Sequence, residues 1–261
     1  MSPPRSYRPS RPQSIGEVLD SGFRIFQSTL LPCLPYGALW VILGQLANLH
    51  DLAAGRPLRI LGGADSTWWL WYVSGALLSI LIWGSLILRQ SALLSGAASS
   101  MGAELLAVLA RAPQLLVLLC VGTAACMVGL ALLVVPGLYL LIAFAFAMPA
   151  MLTCGLGPLD ALKYCARLLY GHWWRTTFIL AVAAIVILAL YAVLATATLL
   201  AFGASGIADV ALVTAVSRAV GIALGALLAP FACAMILATF GELRARREAA
   251  DLHARIARAE S

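Results

Sequence analysis

Six transmembrane helices in an all-α, polytopic membrane protein are what this sequence predicts, and three observations predict them. Hydrophobic residues make up 62% of the chain and charged residues only 11%, which leaves no polar coat for a soluble domain. Apolar runs of roughly 20 residues recur, each long enough to cross a bilayer core as a helix. The Lys and Arg residues lie between those runs, almost all on one side of the resulting thread. The net charge of +6 is therefore read as topology, and no nucleic-acid partner is expected.

Residues 1–13 alternate Arg5, Arg8 and Arg11 with prolines and read as a disordered basic tail. Ser14 and Glu17 make a capping-box pattern where a signal peptide would carry an unbroken apolar core, so no cleaved signal is predicted. From there Ile15, Val18, Leu19, Gly22, Phe23 and Phe26 share one helical face, with Glu17, Asp20, Arg24 and Gln27 largely on the other. That pattern predicts a helix lying in the headgroup plane.

The membrane domain is expected over residues 14–240. Its first span covers 30–49. A loop with Arg56 and Arg59 follows, and an aromatic anchor at 68–72 admits the second span, which returns to Arg89. A small-residue stretch and a weakly amphipathic helix with Glu104 and Arg111 lead into the third span, to Val135. Val135, Pro136 and Gly137 are expected to turn the chain at the far bilayer surface, and the fourth span runs back to about residue 152.

Pro158 opens a second clear amphipathic helix, to Tyr170, with Leu159, Leu162, Ala166 and Leu169 on one face and Asp160, Lys163 and Arg167 away from it. Trp173 and Trp174 mark the headgroup level where the fifth span enters. The fifth covers 176–202, a turn occupies 203–209, and the sixth covers 219–240. Residues 241–261 alternate charge at helical spacing, Glu242 with Arg246 among the pairs, and read as a charged cytoplasmic helical tail. Of the 17 Lys and Arg residues only Arg56, Arg59 and Arg218 fall outside when both termini are cytoplasmic, so the expected orientation is N-in and C-in.

An acid followed by Arg seven positions later recurs as Glu17 with Arg24, Glu104 with Arg111, and Asp160 with Arg167. Two readings stay open. One is three parallel repeats of interfacial helix plus transmembrane hairpin; the other is the general preference of helices for acids early and bases late.

Candidate functional groups are few. Arg218 is the one charge interrupting the last apolar run, where it either snorkels to the interface or serves a function. Gly221, Gly225 and Ala229 form a small-residue stripe, suited to close helix packing within the monomer or to a dimer face. The six cysteines show no metal-binding spacing, no nucleophile motif occurs, and neither cofactor, metal nor catalytic residue is expected.

Several short runs carry a family resemblance: SIGEVLDSGFR from Ser14, VPGLY from Val135, MPA from Met148, GPLDAL from Gly157, GHWWR from Gly171, and GELRARRE from Gly241 with Asp251 and Leu252. Together they resemble the membrane domain attached to some bacterial glycerophosphodiester phosphodiesterases, and related stand-alone bacterial inner-membrane proteins. The run TFGELR from Thr239 departs from the Tyr-Tyr-Asp-Leu-Arg pattern of that group. The resemblance implies a location in the bacterial cytoplasmic membrane and an architecture, and it carries over no phosphodiesterase residue. The expected role is a non-catalytic membrane protein that organises or supports a partner, in contact with lipids and with a protein partner or a second copy. The alternative is a small channel, transporter or lipid-translocating protein.

Overall fold

Ser14 opens the first helix by a reciprocal cap. Its hydroxyl accepts from the backbone N–H of Glu17 at 3.3 Å, and the Glu17 carboxylate accepts from the backbone N–H of Ser14 at 2.6 Å. The structure, a computed structural model, describes residues 9, 12–55, 65–205 and 210–259, and no strand occurs among them. In chain order the helices are α1 (Ile15–Gly44), α2 (Leu46–Ala53), α3 (Ser66–Leu94), α4 (Met101–Leu109), α5 (Ala112–Leu132), α6 (Val134–Cys154), α7 (Pro158–Leu169), α8 (Trp173–Ser205) and α9 (Val210–Ala259). Six of them, α1, α3, α5, α6, α8 and α9, are long and apolar enough to cross a membrane, the number predicted. Most of the expected basic tail, the loop with Arg56 and Arg59, and Asp209, which the sequence offers as a partner for Arg218, lie outside the described residues.

The helix expected in the headgroup plane and the first span are one element, which corrects the first boundary. No Gly or Pro separates residues 27 and 30, and the hydroxyls of Ser28 and Thr29 donate back to the Ile25 carbonyl at 3.0 and 2.7 Å within the helix. Pro32 and Pro35 lie inside α1, leaving the carbonyls of Ser28 and Leu31 without ladder partners. The apolar face at Val18 and Ile25 packs on Ile179 and Ala183 of α8 and on Ala234, Met235 and Ala238 of α9 rather than on lipid headgroups.

The α5–α6 turn also differs from expectation. Leu133 alone joins the two helices in an extended conformation, and Pro136 and Gly137 lie in the first turn of α6. Pro136 suits that turn because its missing N–H would have had no helical partner. Gly137 serves close approach: a Cβ there would strike the backbone and side chain of Leu130, and one on Gly129 would lie 3.0 Å from the Gly137 Cα. Six residues past the turn, the Tyr139 hydroxyl donates to the Ala166 carbonyl, and its ring meets Trp173 edge-on at 6.5 Å. At about 1.5 Å per helical residue, these contacts hold Leu133 within about 25 Å of Trp173, short of the roughly 30 Å that would put them on opposite faces.

Gly155, at φ 69°, ends α6 in the left-handed conformation, and Pro158 starts α7. Asp160, Lys163 and Arg167 are exposed as expected. The buried stripe is Ala161, Cys165, Leu168 and Leu169, while Leu159 is exposed and Leu162 and Ala166 only half-buried. The small residues let α7 pack into the main core beside Phe146, Met151 and Phe240, so the helix belongs to the bundle. α8 is the most open element, with Phe178, Ile185, Leu188, Val193, Leu199 and Leu200 all exposed. α9 passes residue 241 without a break, and Leu243 beyond it is buried.

Candidate functional site

The charges that matter most are buried between helices. Ser100 caps α4 by accepting from the Ala103 N–H at 3.3 Å, which sets Glu104 in the first turn, where the helix dipole favours an acid. Glu104 is only 4% exposed. One carboxylate oxygen accepts from the Tyr36 hydroxyl of α1, and the other accepts from the Ser99 hydroxyl and, at 3.4 Å, from Arg89 Nη1 of α3. Arg89 also donates to the Ser99 carbonyl at 2.7 Å. A buried charge is tolerated when it is paired and hydrogen-bonded in this way.

Next to it, Gln90 Nε2 donates to Thr29 Oγ1 of α1 at 3.2 Å and to the Pro230 carbonyl of α9 at 2.9 Å. Pro230 in turn leaves the Ala226 carbonyl without its ladder partner, and Gly37 of α1 lies so close to it that a Cβ would collide. Prolines in α1 and α9 thus frame the crossing where the polar side chains gather. Among the described residues Gln90 Oε1, Ser91 Oγ and Arg89 Nε have no hydrogen-bond partner.

A second cluster ties the end of the bundle where α1 begins. Glu242, 1% exposed, accepts from Arg246 one turn on and from Arg175 of α8 at 3.3 Å. Both guanidinium groups also donate to the Gln13 carbonyl, Arg246 at 2.7 Å. Arg247 donates to the Arg167 carbonyl at 2.8 Å, satisfying a carbonyl in the last turn of α7. The region expected as a charged helical tail therefore begins as a clamp on three other segments.

The remaining sequence candidates fall in different places. Glu17 caps α1; Arg24 is exposed and pairs with Asp20 rather than with Glu17. Arg111 is the N-cap residue of α5 and donates to the Met151 and Leu152 carbonyls at 2.9 and 3.2 Å, closing the end of α6. Asp160 and Arg167 lie exposed at opposite ends of α7. Trp173 and Trp174 stack at 4.1 Å, Trp173 half-buried and Trp174 exposed. Gly225 meets Val41 and the Tyr191 hydroxyl, and Ala229 is buried, so both pack closely; a Cβ on Gly221 would touch nothing. Arg218 faces a cleft between α1, α8 and α9.

Tyr36, Arg89, Gln90 and Glu242 were missed as site residues. Glu104 had a signal, being the lone charge of an otherwise apolar α4, but its partner on α1 is 68 residues away. The six cysteines are free thiols, and among the described residues no group of three or more His, Cys, Asp or Glu is placed to hold a metal.

No family model, no curated protein and no solved structure matches this chain. Fold and hydropathy define its class as a multi-pass integral membrane protein.

Proposed function

We propose that the chain is a non-catalytic integral protein of the bacterial cytoplasmic membrane, both termini inside, that organises or supports a partner in lipid or envelope maintenance. The observation that carries this reading is the use of the buried charges: Glu104 and Glu242 are each held by side chains from neighbouring segments, which makes them ties within a scaffold. The exposed apolar length of α8 offers lipid, a protein partner or a second copy a broad surface. The Lys and Arg asymmetry supports the orientation, and the resemblance to the phosphodiesterase-associated membrane domain supports lipid or envelope work.

Gentle detergent extraction from native membranes, with identification of co-purifying proteins, tests it. A stoichiometric partner is the expected result. A chain that purifies alone and moves a solute or lipid across reconstituted vesicles contradicts it and supports the second reading, a small channel, transporter or lipid-translocating protein. The cleft beside Arg218 is the feature that favours that alternative.

A further inference from the structure

The last apolar run carries one cation, Arg218, and the structure gives it company. It borders a cleft of about 310 Å³ where the end of α1, the middle of α8 and the first third of α9 meet. Gln45 and Tyr191 supply the other polar side chains, and Val41, Leu49 and Ile222 the apolar ones. Among the described residues no carboxylate lines the cleft and Arg218 has no ion-pair partner within 4.0 Å; Asp209 lies outside them.

The donors converge on one chemistry. Gln45 Oε1 already accepts from Asn48 Nδ2 at 2.8 Å, which turns the amide so that Nε2 remains as a donor. Tyr191 lines the same cleft, its hydroxyl lying beside Gly225 and Val41. A guanidinium, an amide N–H and a phenol O–H around a cleft whose described lining holds no acid suit an oxyanion, and guanidinium binds phosphate oxygens bidentately. Gly221 completes the shape, because nothing lies within 4 Å of where its Cβ would be, so the cleft floor is open backbone.

Position selects the source of the phosphate. Arg218 lies 24 residues from Glu242 on one continuous helix, about 36 Å at 1.5 Å per residue, against roughly 30 Å of hydrocarbon core. With the Glu242 clamp at one headgroup level, Arg218 falls at the other. The apolar flank of Val41 and Ile222, each one helical turn nearer the Glu242 end than Gln45 and Arg218, then lies on the hydrocarbon side, where a glycerol backbone and acyl chains need it.

We infer that Arg218, Gln45 and Tyr191 form a binding site for the phosphate of an anionic phospholipid headgroup, in the leaflet opposite the Glu242 clamp. The inference goes beyond the scaffold reading and stands whether or not a protein partner is found.

The test uses the full chain in detergent micelles, titrated with phosphatidylglycerol, phosphatidylcholine or inorganic phosphate and read by native mass spectrometry. The expected result is retained phosphatidylglycerol, weakened about tenfold or more by Arg218→Gln and by Gly221→Leu, which fills the cleft. Phosphatidylcholine should bind less, since its ammonium finds no acid among the described lining residues, and inorganic phosphate should not compete. Arg24→Gln, a change at an exposed arginine, should leave binding alone. Unchanged phosphatidylglycerol binding in Arg218→Gln overturns the site, and full competition by inorganic phosphate overturns the lipid as its ligand. Should Arg218→Gln fail to fold, Gly221→Leu decides: retained binding refutes the site and lost binding supports it.

Discussion

Tyr36 and Glu104 share a hydrogen bond inside the bundle although 68 residues separate them in the chain. Tyr36 follows directly on Pro35, within the stretch of α1 that its two prolines interrupt. Glu104 is the one acid of α4. The bond therefore fastens a nine-residue helix, too short to be stable alone, to α1, which packs along α9. Arg89 closes the arrangement from α3.

The glycine stripe of α9 should divide in two. Gly225→Leu must push into Val41 and Tyr191, and Gly37→Leu into the Ala226 backbone, whereas Gly221→Leu enters open space. Thermal unfolding in detergent should show losses of about 1–3 kcal/mol or more for the first two and little change for the third. Equal sensitivity at Gly221 and Gly225 would mean that the cleft beside Arg218 is closed.

Removing the Glu242 carboxylate should cost far more than removing an exposed one. Glu242→Ala leaves Arg175 and Arg246 without their carboxylate in a largely desolvated place, a loss of about 3 kcal/mol or more. Asp20→Asn breaks a pair that is 76% and 55% exposed on its two sides, worth at most about 1 kcal/mol. Comparing the two by reversible unfolding checks whether the clamp is structural; matched small losses would count against it.

Hydropathy made the six long helices legible because bilayer length and apolar content are properties of each segment alone. The Ser14 cap and the Glu242–Arg246 pair were legible for the same reason, being local. The short amphipathic helices were legible as elements, but not which residues they bury, because a 3.6-residue pattern does not tell a lipid surface from a neighbouring helix. In α7 the large leucines suggested the buried face, yet Ala161 and Cys165 occupy it because their small side chains allow close contact. Glu104 and its partner on α1 could not be paired by any periodicity, since that contact exists only once α1, α3 and α4 are assembled.

Cys165 should behave as an inert thiol. Burial in the α7 contact pushes its pKa well above the ordinary thiol value, and nearby Cys154 adds to the effect. In a variant keeping only this cysteine, maleimide labelling of folded protein should stay near zero from about pH 7 to about pH 9 and appear on unfolding. Because the folded pKa is raised, this contribution to stability is complete below the unfolded thiol pKa and is lost as pH rises above it. Rapid labelling of native protein would show that α7 is not packed as described.

The α5–α6 turn should report an intermediate depth. A spin label at Leu133 is expected to sit within the hydrocarbon or on the same side as Trp173, given the contacts of Tyr139 with Ala166 and Trp173. Paramagnetic relaxation by a lipid-soluble and a water-soluble agent gives the depth. A label at the headgroup level opposite Trp173 would restore a simple alternating thread.

Whether the buried acids tie this bundle together is decided by a double-mutant cycle on Tyr36 and Glu104. Tyr36→Phe removes one hydroxyl and Glu104→Gln removes the charge, and the free energy of unfolding is measured for each and for both together. A coupling energy of about 1 kcal/mol or more is expected, in the range found for residues in direct contact within one network. Additivity within about 0.5 kcal/mol would contradict it, since two residues that do not depend on each other cannot be holding α4 to α1.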